Sequence, residues 1–487
     1  VQLVRRTGVH LCPDASRLLP RLFVAGQDNF GTQQTRGSLV LDRVMQLSEE
    51  QVEIALGEVV GRYGGRHENL FFLFDAHAQR FARPILRGNG ISESRWKLIG
   101  AMFTHEYSIE GASLSNPSIV PHPDQSGCAD GDLRFVMTVR CIGEGHRSSI
   151  GFRTGTITGD GTVAVDTPGR NLDAGAHGEA PISKSSFTHL LEDLHTHGEN
   201  ARFVLGNLGD TFTFSELEVQ SGRLLHNRDS YRNVDETIRN LHDVAGCTYS
   251  VRFGPTSRIS ERVLWPFADK EIQGMEDARC VRFVDDSGQP TWFASYTAFD
   301  GRSIAQQLLS TTDFENFESR PLTGRAATGK GLAIFPRTVG GQYVALSRAD
   351  HESNAITTSD HIEHWDEMHT VQVPTRPWEL IQMGNSGSPI ETEAGWLALT
   401  HAVGPMRTYC LSAMLLDLND PTRVLGSLDR PLMSPEPDES YGYVPNVVYS
   451  CGSLLHHRTL VIPYGIADHS IGVATVSVDD LLEVLTT

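Results

Sequence analysis

Two carboxylic acids stand side by side in "GMEDARC" (274–280), Glu276 and Asp277, with Arg279 close behind. An acid kept away from water holds its proton above the usual carboxylate range and can donate it. Neighbours on a strand point to opposite faces, so only one of the two is expected to face a site. The other then pairs with Arg279 or caps backbone. A structural ion pair at a strand start explains the same residues equally well. Basic groups recur elsewhere. "FVMTVRC" (135–141), "WFASYTA" (292–298), "YVALSRA" (343–349) and "WLALTHA" (396–402) match position by position, and one shared slot holds Arg140, Thr297, Arg348 and His401. One polar residue at a strand end says little. Three basic ones at equivalent positions of an acidic chain favour a common site.

The elements that carry this slot repeat. A fifth, looser strand is "LVIPYGIAD" (460–468). The last four are spaced by roughly fifty to sixty residues, the period of a propeller blade. "LSTTDFENF" (309–317) and "ITTSDHIEHW" (356–365) recur as well, and read as turns between outer strands. The expected fold is therefore all-β dominated: a five-bladed β-propeller over 112–487, whose innermost strands face one axial channel. A partly helical insertion, about 166–245, lies between the first two blades. Residues 1–111 are expected as an α-helical N-terminal extension. There "LSEEQVEIALGEVVGRY" (47–63) opens on a capping box, Ser48 and Gln51. Val52, Leu56, Val59 and Tyr63 fall on one helix face. "NLFFLFDAHAQRFA" (69–82) and "SESRWKLIGAMFTHEY" (92–107) are two further helix candidates. The apolar stripe at 52–63 suits self-association and packing within the chain alike.

Composition narrows the class. The 487 residues include 46 Gly and 23 Pro and carry a formal charge of -19. An acidic surface repels phosphate backbones, so general nucleic-acid binding is not expected. The seven cysteines are dispersed without a C-x-x-C pair, which fits neither a disulfide framework nor a zinc ribbon and suits reduced core residues. His189, His195 and His197 of "FTHLLEDLHTHG" (187–198) are read as a helix surface, because six residues put the first two on nearly opposite faces. "THEYS" (104–108) lacks the second His of a zincin motif. No metal site is expected. No run approaches about 18 apolar residues, so no membrane span is expected. The opening "VQLVRRTGVHLCPD" has no long apolar core or cleavage site, so no signal peptide is expected and the location is expected to be cytoplasmic.

A set of motifs then occurs in order: "NPSIVPHPD" (116–124), "EDAR" (276–279), "KGLAIFPR" (330–337), "GNSGSPIETEAGWLALTHAVG" (384–404), "LLDLNDPTRVLG" (415–426), "VPNVVYSCG" (444–452) and "YGIADHSIGVA" (464–474). The chain resembles glycoside hydrolase family 130, the β-mannoside phosphorylases and related β-mannosidases, over 112–487 apart from the insertion. The helical start resembles the family's long forms, some of which act on β-1,2-linked mannooligosaccharides. The resemblance implies an inverting reaction on a terminal β-mannosyl unit, with Asp277 as proton donor, acting through the sugar's own 3-hydroxyl. Asn116, Arg140 and Asp468 match positions that hold the mannose, and Glu276 is placed with them as a substrate-binding residue. Phosphate-contacting positions fall on Lys330, Arg348 and His401, with Tyr409 a looser match. The product implied is α-mannose 1-phosphate, inorganic phosphate is the co-substrate, and no cofactor is required.

Two alternatives stand beside this reading. An inverting hydrolase needs a second carboxylate, about 6.5–9.5 Å from the first, to activate water. Glu379 and Glu391 are the candidate bases. A non-catalytic carbohydrate-binding propeller needs neither the acid nor the cations. Three positions depart from the family pattern: Ala278 replaces a usual Pro, Gly331 a frequent polar residue, and Thr400 a common aromatic.

Overall fold

The structure, a computed structural model, describes residues 3–24, 35–83, 85–86, 90–226 and 232–486. The chain forms two compact units. One comprises Asp14–Gly111 with Gly169–Asp173; the other comprises Val1–Pro13, Ala112–Pro168 and Ala174–Thr487.

The smaller unit holds helices Arg36–Gln46, Glu49–Tyr63, Leu70–Phe81 and Glu93–Met102. Both arms of the Ser48–Gln51 capping box form, each satisfying an N–H that the first turn leaves unpaired. Val52 packs with Leu41, Val44, Ala78, Leu98 and Phe103, so the expected stripe is at least partly covered within its own unit. The helix expected over 92–107 stops at Met102. Thr104–Ser108 instead pairs antiparallel with Leu18–Leu22. A partner more than eighty residues away overrides the local helical pattern there. Arg17 and Glu110, both fully buried, pair at 2.8 Å.

The larger unit is mostly β with some helices. Its strands fall into five successive antiparallel groups. In order these are Ser113–Pro121, Leu133–Ile142 and Ser148–Ile157; then Gly274–Val284, Pro290–Phe299, Ile304–Thr311 and Asn316–Pro321; then Ala333–Ile334, Tyr343–Ser347, Asn354–Ser359 and His369–Gln372; then Gln382–Asn385, Gly395–Val403, Tyr409–Leu416 and Val424–Ser427; and last Val448–Tyr449, Thr459–Ile466 and Ser470–Ser477, completed by Val4–Leu11. A parallel bridge, Gly274 to Ser148, joins the first two groups. All nine residues of Gly395–Val403 are buried, which is why this strand reads as a nearly continuous apolar run.

Apolar side chains pack each group onto the next. Phe152 and Tyr296 share one cluster, Phe283 and Ile334 a second, Phe335 and Trp396 a third, and Leu411 and Ile462 a fourth. The last group returns to the first through Cys451 N–H to the Pro117 carbonyl at 2.9 Å and Leu114 N–H to the His469 carbonyl at 3.1 Å.

Three expectations change. Val4–Leu11 is not part of a helical extension but the outer strand of the last group, in register with Val476 through Ile471. Each of the four matched strands, expected as the innermost of its blade, is second in its group, next to Ser113–Pro121, Gly274–Val284, Ala333–Ile334 or Gln382–Asn385. The 187–198 segment is helical only over Lys184–Asp193, so His195 and His197 lie beyond the helix and its phase does not place them. The insertion has its own core around Phe187, Leu217 and Leu241. It sends Ala176–Glu179 to Tyr249–Arg252 on the outer edge of the second group. Five of the seven cysteines are buried. No helix among the described residues is long and apolar enough to cross a membrane.

Candidate active site

The first strands of the groups carry the site because two of them are bulged at corresponding places. Pairing shifts between Ser115 and Ser118 in one strand and between Glu276 and Arg279 in another. Asn116 and Asp277 sit within these bulges at φ 49° and 57°, left-handed values that non-glycine residues seldom adopt. Pro117 has no N–H to give the ladder, which accounts for the first bulge. The second persists with Ala278 in place of the family's Pro. A bulge re-aims side chains, and here it corrects the alternation argument. Glu276 and Asp277 do not point to opposite faces; both reach one arginine.

That arginine is Arg140. Its Nη2 donates to Glu276 Oε1 at 2.5 Å and its Nη1 to Asp277 Oδ1 at 3.4 Å. Lys330 Nζ donates to Glu276 Oε2 at 2.7 Å, and the Asn116 amide donates to Asp277 Oδ1. Burial pushes the Asp277 carboxyl up, but Arg140, Lys330 and Arg279, with the Asn116 hydrogen bond, outweigh it and hold Asp277 below the ordinary carboxylate range. The raised value expected for a buried acid is overturned here. Asp468, at φ 49°, behaves oppositely: burial raises it, with Asp277 and Glu276 adding and Arg140 opposing.

A second cluster adjoins the first. Arg348 Nη1 donates to His401 Nε2 at 3.2 Å. The His401 ring meets Tyr449 edge-on at 4.8 Å and lies parallel to Tyr409 at 6.3 Å. Burial, then Arg348 and Arg279, push His401 well below its usual value, so it is neutral. The expected trio of cations is thus two, Lys330 and Arg348, with His401 accepting from one of them. Gly384 makes this fit: a Cβ there would lie 2.7 Å from His401 Cε1 and 2.8 Å from Arg348 Cδ.

Arg279 ties the clusters together. It does not pair with the neighbouring acids; it donates to the Gly331 carbonyl and, at 2.8 Å, to Tyr449 Oη. Asn385 Nδ2 donates to the same carbonyl at 2.7 Å. This clamp fixes the backbone beside Lys330. It also explains Gly331, whose φ is +96° and whose absent Cβ would strike the Arg279 guanidinium. Gly331→Ala is expected to destabilise the protein by about 1–3 kcal/mol. Thermal denaturation checks it; an unchanged midpoint would remove the clamp from the account. Asn385 and Tyr449 were not singled out from sequence, and Arg279 was named only as a partner for the neighbouring acids. Asn385 and Tyr449 lie inside quoted motifs, but their partners are far away in the chain.

The remaining candidates stand elsewhere. Buried Glu379 accepts from Thr375 N–H and Arg376 N–H at 2.9 Å, closing a turn of its own segment. Glu391 pairs with Arg337 at 2.5 Å. These partners are separate from the acids and cations above. Thr297 is buried opposite Glu276 in the strand register. Tyr409 Oη accepts from Gln382 Nε2 at 3.5 Å. His189 packs on His364 with ring centres 4.4 Å apart, and His197 Nδ1 lies 3.2 Å from Glu192.

The family model described as beta-1,4-mannooligosaccharide phosphorylase matches residues 231–487. The chain is 32% identical over 228 residues to the 1,2-beta-oligomannan phosphorylase of Thermoanaerobacter sp. (strain X514), covering 46% of this chain and 75% of that protein. It is 32% identical over 289 residues to the beta-1,2-mannobiose phosphorylase of Listeria innocua, covering 55% and 79%. The solved structure of the Listeria innocua beta-1,2-mannobiose phosphorylase with beta-1,2-mannobiose aligns over 78% of this chain and 93% of that one, at 21% identity and TM-score 0.47. Because the family match spans more than half of its length, the chain belongs to glycoside hydrolase family 130.

Proposed function

We propose that the protein is a phosphorylase of β-mannooligosaccharides, with β-1,2 linkages as its substrates. One observation carries the reading: Lys330 pairs with Glu276, which shares Arg140 with Asp277, and Arg348 bonds His401, whose ring packs on the Tyr449 that Arg279 holds, while Glu379 and Glu391 are engaged elsewhere. Phosphate is already a nucleophile and needs cations to hold it rather than a second carboxylate. The relatives named for β-1,2-mannosides support the linkage.

In the proposed reaction Asn116, Arg140 and Asp468 hold the terminal mannose. A phosphate oxygen, held by Lys330 and Arg348, attacks the anomeric carbon from the face opposite the leaving group. The C1–O glycosidic bond breaks and its electron pair stays on the leaving oxygen. That oxygen takes a proton that originates on Asp277 and passes through the sugar 3-hydroxyl. Inversion gives α-mannose 1-phosphate and the shortened sugar. Asp277 must be protonated for this step, and a phosphate anion nearby favours its neutral form.

The five-bladed propeller belongs to the same proposal. Its support is that one end of each group's first segment supplies Asn116, Asp277, Lys330, Asn385 or Tyr449. The far ends of those segments, at Pro121, Val284, Pro336, Ser388 and Ser453, line one shared cavity. A cytoplasmic enzyme that needs no metal or cofactor is part of the proposal as well.

Incubation with β-mannobioses of each linkage, with and without phosphate, tests the reading. Mannose 1-phosphate, formed only with phosphate and fastest from the β-1,2 disaccharide, is the expected result. Free mannose formed equally without phosphate would overturn it in favour of a hydrolase.

A further inference from the structure

Glu276 touches both halves of the site. Its Oε1 accepts from Arg140, the sugar-side cation, at 2.5 Å, and its Oε2 from Lys330, the phosphate-side cation, at 2.7 Å. The residue is 8% exposed. Each carboxylate oxygen thus accepts from a different protein cation. The bulge that turns Glu276 and Asp277 to the same side makes it possible.

We propose that Glu276 is a positioning residue, which holds Arg140 and Lys330 in fixed relation and competes with inorganic phosphate for the Lys330 ammonium. This rests on Lys330 being a phosphate cation. The charge gives it a definite sign. Glu276 sets one negative charge directly against the Lys330 ammonium, and an arriving phosphate meets that charge as well. An ammonium carries three donors and can serve a carboxylate and a phosphate together. The two anions repel across it, and that repulsion weakens ground-state phosphate binding.

Removing the Glu276 charge at constant shape must then tighten phosphate binding while loosening the geometry. Glu276→Gln presents one acceptor oxygen and an NH2 group with two donors, so it serves one cation and opposes the other. The full-length protein with Glu276→Gln is expected to bind inorganic phosphate about five- to tenfold more tightly by titration calorimetry. Its kcat is expected to fall about tenfold or more. The tightening is expected to vanish when Lys330→Gln is already present, because the effect runs through the ammonium.

Unchanged or weaker phosphate binding by Glu276→Gln would overturn the proposal. So would tightening that persists in the double variant. A thermal melt confirms that each variant is folded. The binding comparison needs no turnover, so it is separate from the functional reading, which stands or falls on mannose 1-phosphate formation by the unaltered protein.

Discussion

Asp277→Asn is expected to lower turnover by about 10²–10⁴-fold, the range a positioned proton donor contributes. The substitution keeps the shape of the side chain, and the new amide oxygen can still accept from Asn116 as Asp277 Oδ1 does. It removes the acid proton that the leaving oxygen needs and leaves the local cations facing Glu276 alone. Folding is expected to persist, because the bulge around 277 is held by strand pairing on both sides. Initial rates of mannose 1-phosphate formation, with a melting curve to confirm folding, check the result. Near-normal turnover in a folded variant would take Asp277 out of the reaction.

Arg348→Ala has the second largest expected effect. Truncating one charged partner in a buried site costs about 2 kcal/mol or more, so the KM for phosphate is expected to rise about 30-fold or more. The KM for the mannoside is expected to change less than about threefold, since Asn116, Arg140 and Asp468 are untouched. The neutral state of His401 sharpens this expectation. His401 accepts from Arg348 and supplies no compensating charge, and it stays neutral across the pH range where an ordinary histidine titrates. Rates over a phosphate series at saturating mannobiose separate the two constants. Equal loss of a phosphate-independent hydrolysis would point to a hydrolase.

The features visible in the sequence were those with a local or repeated signature. The Ser48 capping box announces its helix within four residues. The matched strands announce themselves because four segments share one pattern, and that pattern led to Arg140, Arg348 and His401. The features that escaped depend on distant partners or on a change of phase. Alternation put Glu276 and Asp277 on opposite faces, because nothing in "MEDARC" announces a bulge. The helix expected through Tyr107 ignores Leu18–Leu22, the strand that captures its last residues. His401 looks basic in the sequence and becomes neutral only when burial and two arginines surround it. Arg279 sits beside two acids in the sequence, yet its bonds go to Gly331 and Tyr449, residues that other groups of strands deliver.

The pairing of Val4–Leu11 with the strand near residue 475 has a consequence for biogenesis. Hundreds of residues separate the two strands, so the ribosome delivers one long before the other. Contacts of such long sequence separation form slowly. Until that partner emerges, the earlier strand has no ladder to join, and it offers a bare edge to other chains. Recovery of this protein from a denatured state should therefore grow less efficient as its concentration rises, even though the folded protein keeps that seam closed.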